Sequence, residues 1–127
     1  MKIKSTFALL LLVSLFFSAI NLQAETGKVL RHVVMFKFKE TTTPADIKMV
    51  EEAFAQLPKK ITTIKSYEWG INSSPEGMNQ GLTHCFLLSF SSDKDRNDYL
   101  VHPAHKEFGK LLGPIIDKVT VVDFWVK

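Results

Sequence analysis

The chain has 127 residues, with 16 Lys and Arg against 13 Asp and Glu and a pI near 9.0. Two of those cations, Lys2 and Lys4, belong to an apolar leading segment; without them the balance is 14 against 13, a formal +1, which excludes the basic stripe of a nucleic-acid binder. The single cysteine, Cys85, excludes an intrachain disulfide, and the hundred or so remaining residues suffice for one core and one domain.

Residues 1–24 read as a targeting segment. Lys2 and Lys4 precede an apolar run from Phe7 to Phe17, broken only by Ser14, and a more polar end closes at Ala24. That order is the layout of a cleavable signal peptide, which predicts an extracytoplasmic protein, periplasmic or secreted, with its domain over residues 25–127. The run is shorter than the roughly 20 residues of a membrane span, so no stable anchor is expected after cleavage. A retained anchor is the competing expectation.

Val29 to Lys39 is rich in β-branched and aromatic residues and predicts a first strand. Thr43-Pro44 supplies an N-cap and a first helical proline, and Ile47, Val50, Phe54 and Leu57 follow at helical spacing. Pro58 is expected to end that helix. Ile61 to Ile71 predicts a second strand, residues 72–81 a loop, and Leu82 to Phe90 a third strand in which Cys85 is expected to be a buried, inert thiol. A short helix over Lys94–Leu100 comes next. Another starts at Pro103 with Ala104, Phe108, Leu111, Leu112 and Ile115 on one face, weakened at Gly113-Pro114. Val119 to Val126 predicts the last strand.

This β-α-β-β-α-β order is the ferredoxin-like, split βαβ arrangement, an α+β fold with an antiparallel four-stranded sheet and helices on one face. The first strand places His32, Val34, Phe36 and Phe38 on one side and Val33 and Met35 on the other. Helices cover only one side, and an apolar face of several hundred Å² left in water is unusual for a monomer. A homodimer through the sheet face is therefore expected. A monomer whose second face is merely mixed, with Lys37, Thr83, Ser89 and Asp123, is the alternative.

The residues that could carry chemistry are the four histidines, His32, His84, His102 and His105, together with Tyr99. Pro103 sets His102 at a helix N-cap and His105 in the first turn, where the helix dipole disfavours imidazolium. A neutral His105 could accept a proton, and Tyr99 could hydrogen-bond a carbonyl or oxyanion. The structural alternative has His102 as a cap only, His105 satisfied by backbone, and Tyr99 packed in the core. His32 and His84 share faces with the longer apolar rows and are expected to point toward the helices. The chain has no HExxH pair, no Cys-X-X-Cys, no phosphate loop and no serine-nucleophile motif, so no metal or other cofactor is expected.

The strand from His32 to Lys39, Gly70, Thr83-His84, Tyr99 followed by His102-Pro103-Ala104-His105, and the terminal Asp123-Phe124 resemble the stress-responsive A/B barrel (Dabb) family over about residues 30–126. The resemblance implies a dimeric α+β barrel. Some members are stress proteins without established catalysis, and one is a polyketide cyclase that closes a linear chain by an aldol reaction. Carried over to this chain, the resemblance implies His105 as general base and Tyr99 as the group that steadies the carbonyl oxygen. It further implies His32, His84, His102, Phe54 and Phe108 as pocket residues, with Phe54 standing where that cyclase has a tyrosine. Three functions follow as expectations. The leading one is a homodimer binding a small apolar or aromatic molecule in an inner pocket without turnover. The second is an acid–base lyase or cyclase, and the third a purely structural stress protein.

Overall fold

A computed structural model describes residues 27–127; the expected signal peptide lies outside them. The chain runs β1 (Leu30–Phe38), α1 (Pro44–Lys60), β2 (Ser66–Ile71), β3 (His84–Phe90), α2 (Asp93–Val101), α3 (Pro103–Leu112) and β4 (Ile116–Trp125). The four strands form one antiparallel sheet in the order β2-β3-β1-β4, the ferredoxin-like arrangement. No helix among the described residues is long and apolar enough to cross a membrane.

Local chemistry sets the helix starts. Thr43 Oγ1 accepts the Asp46 N–H while the Asp46 carboxylate accepts the Thr43 N–H, each at 3.2 Å, a reciprocal cap ahead of Pro44. Pro58 does not end α1, which continues to Lys60. In the last turn a proline forfeits little, and the Ile61 N–H still reaches the Leu57 carbonyl at 2.9 Å. Residues 61–65 are a turn rather than strand: Ile61 and Ile64 are buried there, and β2 begins only at Ser66.

Alternation along β1 divides the sheet as expected. Leu30, His32, Val34 and Phe36 face the helices and are buried, while Arg31, Val33 and Met35 face the other side and are half-buried. Phe36, Phe54 and Phe86 form the centre of the core with Phe108. The Phe54 and Phe86 rings stack at 4.1 Å with planes 4° apart, and Phe108 meets Phe54 edge-on at 4.8 Å. The outer face carries Val33, Leu87 and Val122 in one cross-strand row and Met35, Cys85 and Thr120 in the next. Cys85 therefore points away from the helices and is exposed, not buried, because its parity in β3 is that of Leu87 rather than Phe86.

The Phe54–Phe86 stack fastens α1 to the middle of the sheet, so Phe54→Ala should cost about 3–5 kcal/mol of unfolding free energy. Urea denaturation checks this; a loss below about 1 kcal/mol would mean that the stack does not hold the helix.

Candidate functional site

The antiparallel register sends the polar residues of the inner face to opposite ends of the sheet. His32 lies opposite Leu88 and Asp123, whereas His84 lies opposite Phe36. The two imidazoles are thus four residues apart along the β1–β3 pair, roughly 13 Å at the usual strand rise. The aromatic core fills the space between them. Phe54 and Phe108, expected to line a ligand pocket, are 1% and 5% exposed and packed on other rings.

At one end His84 is fully engaged. Its Nε2 meets Glu51 Oε1 at 2.9 Å and its Nδ1 meets Thr83 Oγ1 at 2.9 Å, with Trp69 stacked beside it and Phe38 edge-on. Both ring nitrogens are occupied, which suits a structural role. A cavity of about 620 Å³ opens near this end but on the outer face, between Met35, Leu87 and the Met78–Leu82 loop; His84 alone of the expected site residues lines it.

At the other end four expected residues come together with Asp123, which the sequence reading counted with the second face but which pairs with inward-facing His32, and with Arg96, which it did not single out. His32 Nδ1 donates to Asp123 Oδ1 at 2.6 Å, and the other Asp123 oxygen receives Arg96 Nη1. Arg96 in turn reaches Asp93 at 3.3 Å, which fixes it on the first turn of α2. The His32 ring stands edge-on to Tyr99 at 5.6 Å, and Tyr99 lies against His105 at 4.4 Å. His102 caps α3, its Nδ1 accepting the Ala104 N–H at 3.1 Å. That is the structural role the sequence held open for it.

His105, like His32, has a partner at Nδ1 alone. Its Nδ1 lies 3.1 Å from the Leu100 carbonyl, an acceptor, so Nδ1 carries the proton and Nε2 presents its lone pair. Burial lowers its pKa; the Leu100 bond opposes this, and nearby His32 and His102 add to the lowering. Desolvation is the largest of these causes and favours the neutral ring. Tyr99 is 1% exposed, and burial above all drives its pKa upward, so the phenol keeps its proton at neutral pH. Neutral imidazole and protonated phenol side by side form an acid–base pair.

Tyr67, on β2 in the same cross-strand row as His32, was not anticipated. Its hydroxyl is buried without a hydrogen-bond partner, and burial followed by the Glu51 charge pushes its pKa up to about 12. The inward parity of Tyr67, Trp69 and Ile71 was the available signal. Asp123 had one too, a lone carboxylate among Val121, Val122 and Phe124. Arg96 and Glu51 had none, because α2 and α1 carry charges on every exposed side. Among the described residues no three His, Cys, Asp or Glu side chains gather as a metal-ligand set.

Over β4 the inner layer is open. Val119 and Val121 pair with buried Phe36 and Val34, yet they are 46% and 51% exposed, because the helices do not reach over β4. Gly109, one turn beyond His105 on α3, has nothing within 4 Å of where a Cβ would stand. The exposed Val119 and Val121 side chains make an open apolar trough along the helix-facing side of β4.

The profile of the stress responsive A/B barrel domain matches residues 30–126. The stress-response A/B barrel domain-containing protein HS1 of Arabidopsis thaliana is 35% identical over 94 residues, 74% of this chain and 86% of that protein. Olivetolic acid cyclase of Cannabis sativa is 28% identical over 94 residues, covering 74% and 93% respectively. Among solved structures, a crystal structure of an Arabidopsis thaliana protein superposes with a TM-score of 0.73 at 34% identity, over 77% of this chain and 95% of that one. A dimeric protein of ferredoxin-like fold from Bacteroides fragilis superposes with a TM-score of 0.64 at 25% identity, over 77% and 96%.

Lowering of the His105 pKa in the fold means that the unfolded chain binds this proton more readily. Stability is then complete above the ordinary histidine value of 6.5 and declines as pH falls below it toward the depressed folded value. Proton NMR titration of the His105 ring should give a midpoint below 6.5; a midpoint at or above that value would contradict the desolvated, neutral imidazole.

Proposed function

The chain belongs to the stress-responsive A/B barrel domain family, and from that premise we propose that it binds a small apolar or aromatic carbonyl compound in the trough between α3 and β4 and moves a proton on it. The observation that carries this reading is the lone pair of His105 Nε2, presented because Leu100 holds the Nδ1 proton, on a ring in contact with a buried, protonated Tyr99. In this reading the site lies at one end of the helix–sheet layer, because the phenylalanine cluster occupies the middle.

The chemistry is that of a lyase or cyclase. His105 Nε2 takes a proton from the carbon next to the substrate carbonyl, the C–H electron pair becomes the enolate, and the Tyr99 hydroxyl donates to the developing oxyanion. Attack of that carbon on a second carbonyl forms the new C–C bond, and the proton on His105 returns to the resulting alkoxide. No cofactor is needed for these steps. The His32–Asp123–Arg96 chain fixes the His32 ring against Tyr99 and so holds the phenol in place. The cyclase activity in the name of the Cannabis relative agrees with this reading.

The working unit in this reading is a homodimer through the outer sheet face. Val33, Met35 and Leu87 are only half-covered there, Val122 and Phe124 stand 49% and 47% exposed, and the superposed Bacteroides protein is dimeric. Ligand binding without turnover is the second reading, favoured by the near-complete burial of Tyr99. Export by the amino-terminal signal belongs to the same proposal and would place the substrate outside the cytoplasm.

With aldol-competent polyketones and aromatic ketones as probes, His105→Ala should abolish turnover or α-proton exchange, and Tyr99→Phe should reduce it about a hundredfold. Both variants should keep the native circular dichroism spectrum. Full activity in His105→Ala would remove this residue from the mechanism, and binding of a probe without any exchange in the unaltered protein would select the second reading.

A further inference from the structure

At the margin of the outer face, where β1 and β2 begin and β3 ends, a second cavity of about 450 Å³ is lined by Lys28, Arg31 and Lys65 with the hydroxyls of Ser66, Ser89 and Ser91, and by none of Val33, Met35, Leu87, Val122 and Phe124 of the proposed dimer face. Phe90 forms its back wall and also touches His32 and Tyr99, so this cavity and the acid–base pair are separated by one buried ring. The register assembles it: Arg31, Ser89 and Ser66 are direct cross-strand neighbours on β1, β3 and β2.

The network inside is unusual for a guanidinium. Arg31 Nη1 donates to the hydroxyl of Ser89, which is 3% exposed, and lies 3.5 Å from Ser66 Oγ, while the Ser66 and Ser89 oxygens are 2.6 Å apart. Neutral hydroxyls orient the guanidinium but do not offset its charge. Among the described residues, Lys28, Arg31 and Lys65 form no ion pair, as is true of Lys39, Lys59, Lys60, Lys106, Lys118 and Lys127, but these three line one cavity. No carboxylate lines the cavity. Three cations around one concavity repel each other, and an anion placed between them would be held by all three.

We propose that this cavity binds a phosphate group, with the Arg31 guanidinium as the planar, charge-assisted donor, Lys28 and Lys65 as flanking point charges, and a serine hydroxyl as a further donor. Its volume admits the phosphate with a small organic remainder attached. The site is distinct from the proposed one at His105 and takes ligands of opposite character.

Calorimetric titration of the full chain with inorganic phosphate at low salt, beside flotation with phosphatidylcholine vesicles containing phosphatidylglycerol, tests the proposal. Saturable phosphate binding that weakens about tenfold or more in Arg31→Gln and in Lys65→Gln is expected. Binding to the anionic vesicles with the same residue dependence would identify a headgroup as the source of the phosphate. Lys65→Gln keeps the test valid should Arg31→Gln disturb the serine network, since Lys65 makes no side-chain hydrogen bond among the described residues. Absence of saturable binding to both probes, or binding indifferent to both substitutions, would overturn the proposal. So would loss of the dimer in Arg31→Gln when neither protein binds phosphate, which would assign the cation to the subunit interface.

Discussion

The contact on which everything else depends is Phe54 of α1 lying flat on Phe86 of β3, closed off by Phe36 and Phe108. Because these rings fill the middle of the helix–sheet layer, polar chemistry is confined to its two ends. One end is spent on stability: Glu51 and Thr83 occupy both nitrogens of His84. The other keeps one nitrogen of His105 uncommitted. A fold with smaller residues at these four positions would enclose a central cavity; this one has a partition.

The same partition explains why four histidines of similar appearance in the sequence have different prospects. Their fates are decided by the partners of each ring nitrogen. His102 gives Nδ1 to the α3 N-terminus, His32 gives Nδ1 to Asp123, and His105 gives Nδ1 to a backbone carbonyl. For His105 and Tyr99 burial acts in one direction, disfavouring the charged form of each, so the pair is held as base and acid at neutral pH. A carboxylate beside His105, in place of the Leu100 carbonyl, would have favoured imidazolium and removed the base.

Much of the fold was legible because its signals are local. The period-two faces of β1 and β3, the Thr43-Pro44 and His102-Pro103 helix starts, and the β-α-β-β-α-β order all follow from neighbours within a few residues. The boundaries that moved were those where tertiary packing outweighs propensity: Ile61 and Ile64 bury themselves from a turn, and α1 runs past Pro58. Cys85 was misplaced because its burial was read from the apolar run and not from its parity, which is opposite to that of inward-facing His84. In the candidate site, Tyr99, His102 and His105 were legible as a short segment. Asp123 and Arg96 become their neighbours only through a strand pairing between residues 91 apart and a helix-to-strand contact 27 apart, which no spacing rule displays.

The central claim, a dimer with an occupied site at His105, is tested most directly by native mass spectrometry of the protein purified from its own host beside its His105→Ala form. The account predicts a dimer carrying a small molecule that the variant dimer loses, and the mass difference would characterise the ligand. A monomer, or an equally empty dimer in both preparations, would contradict it.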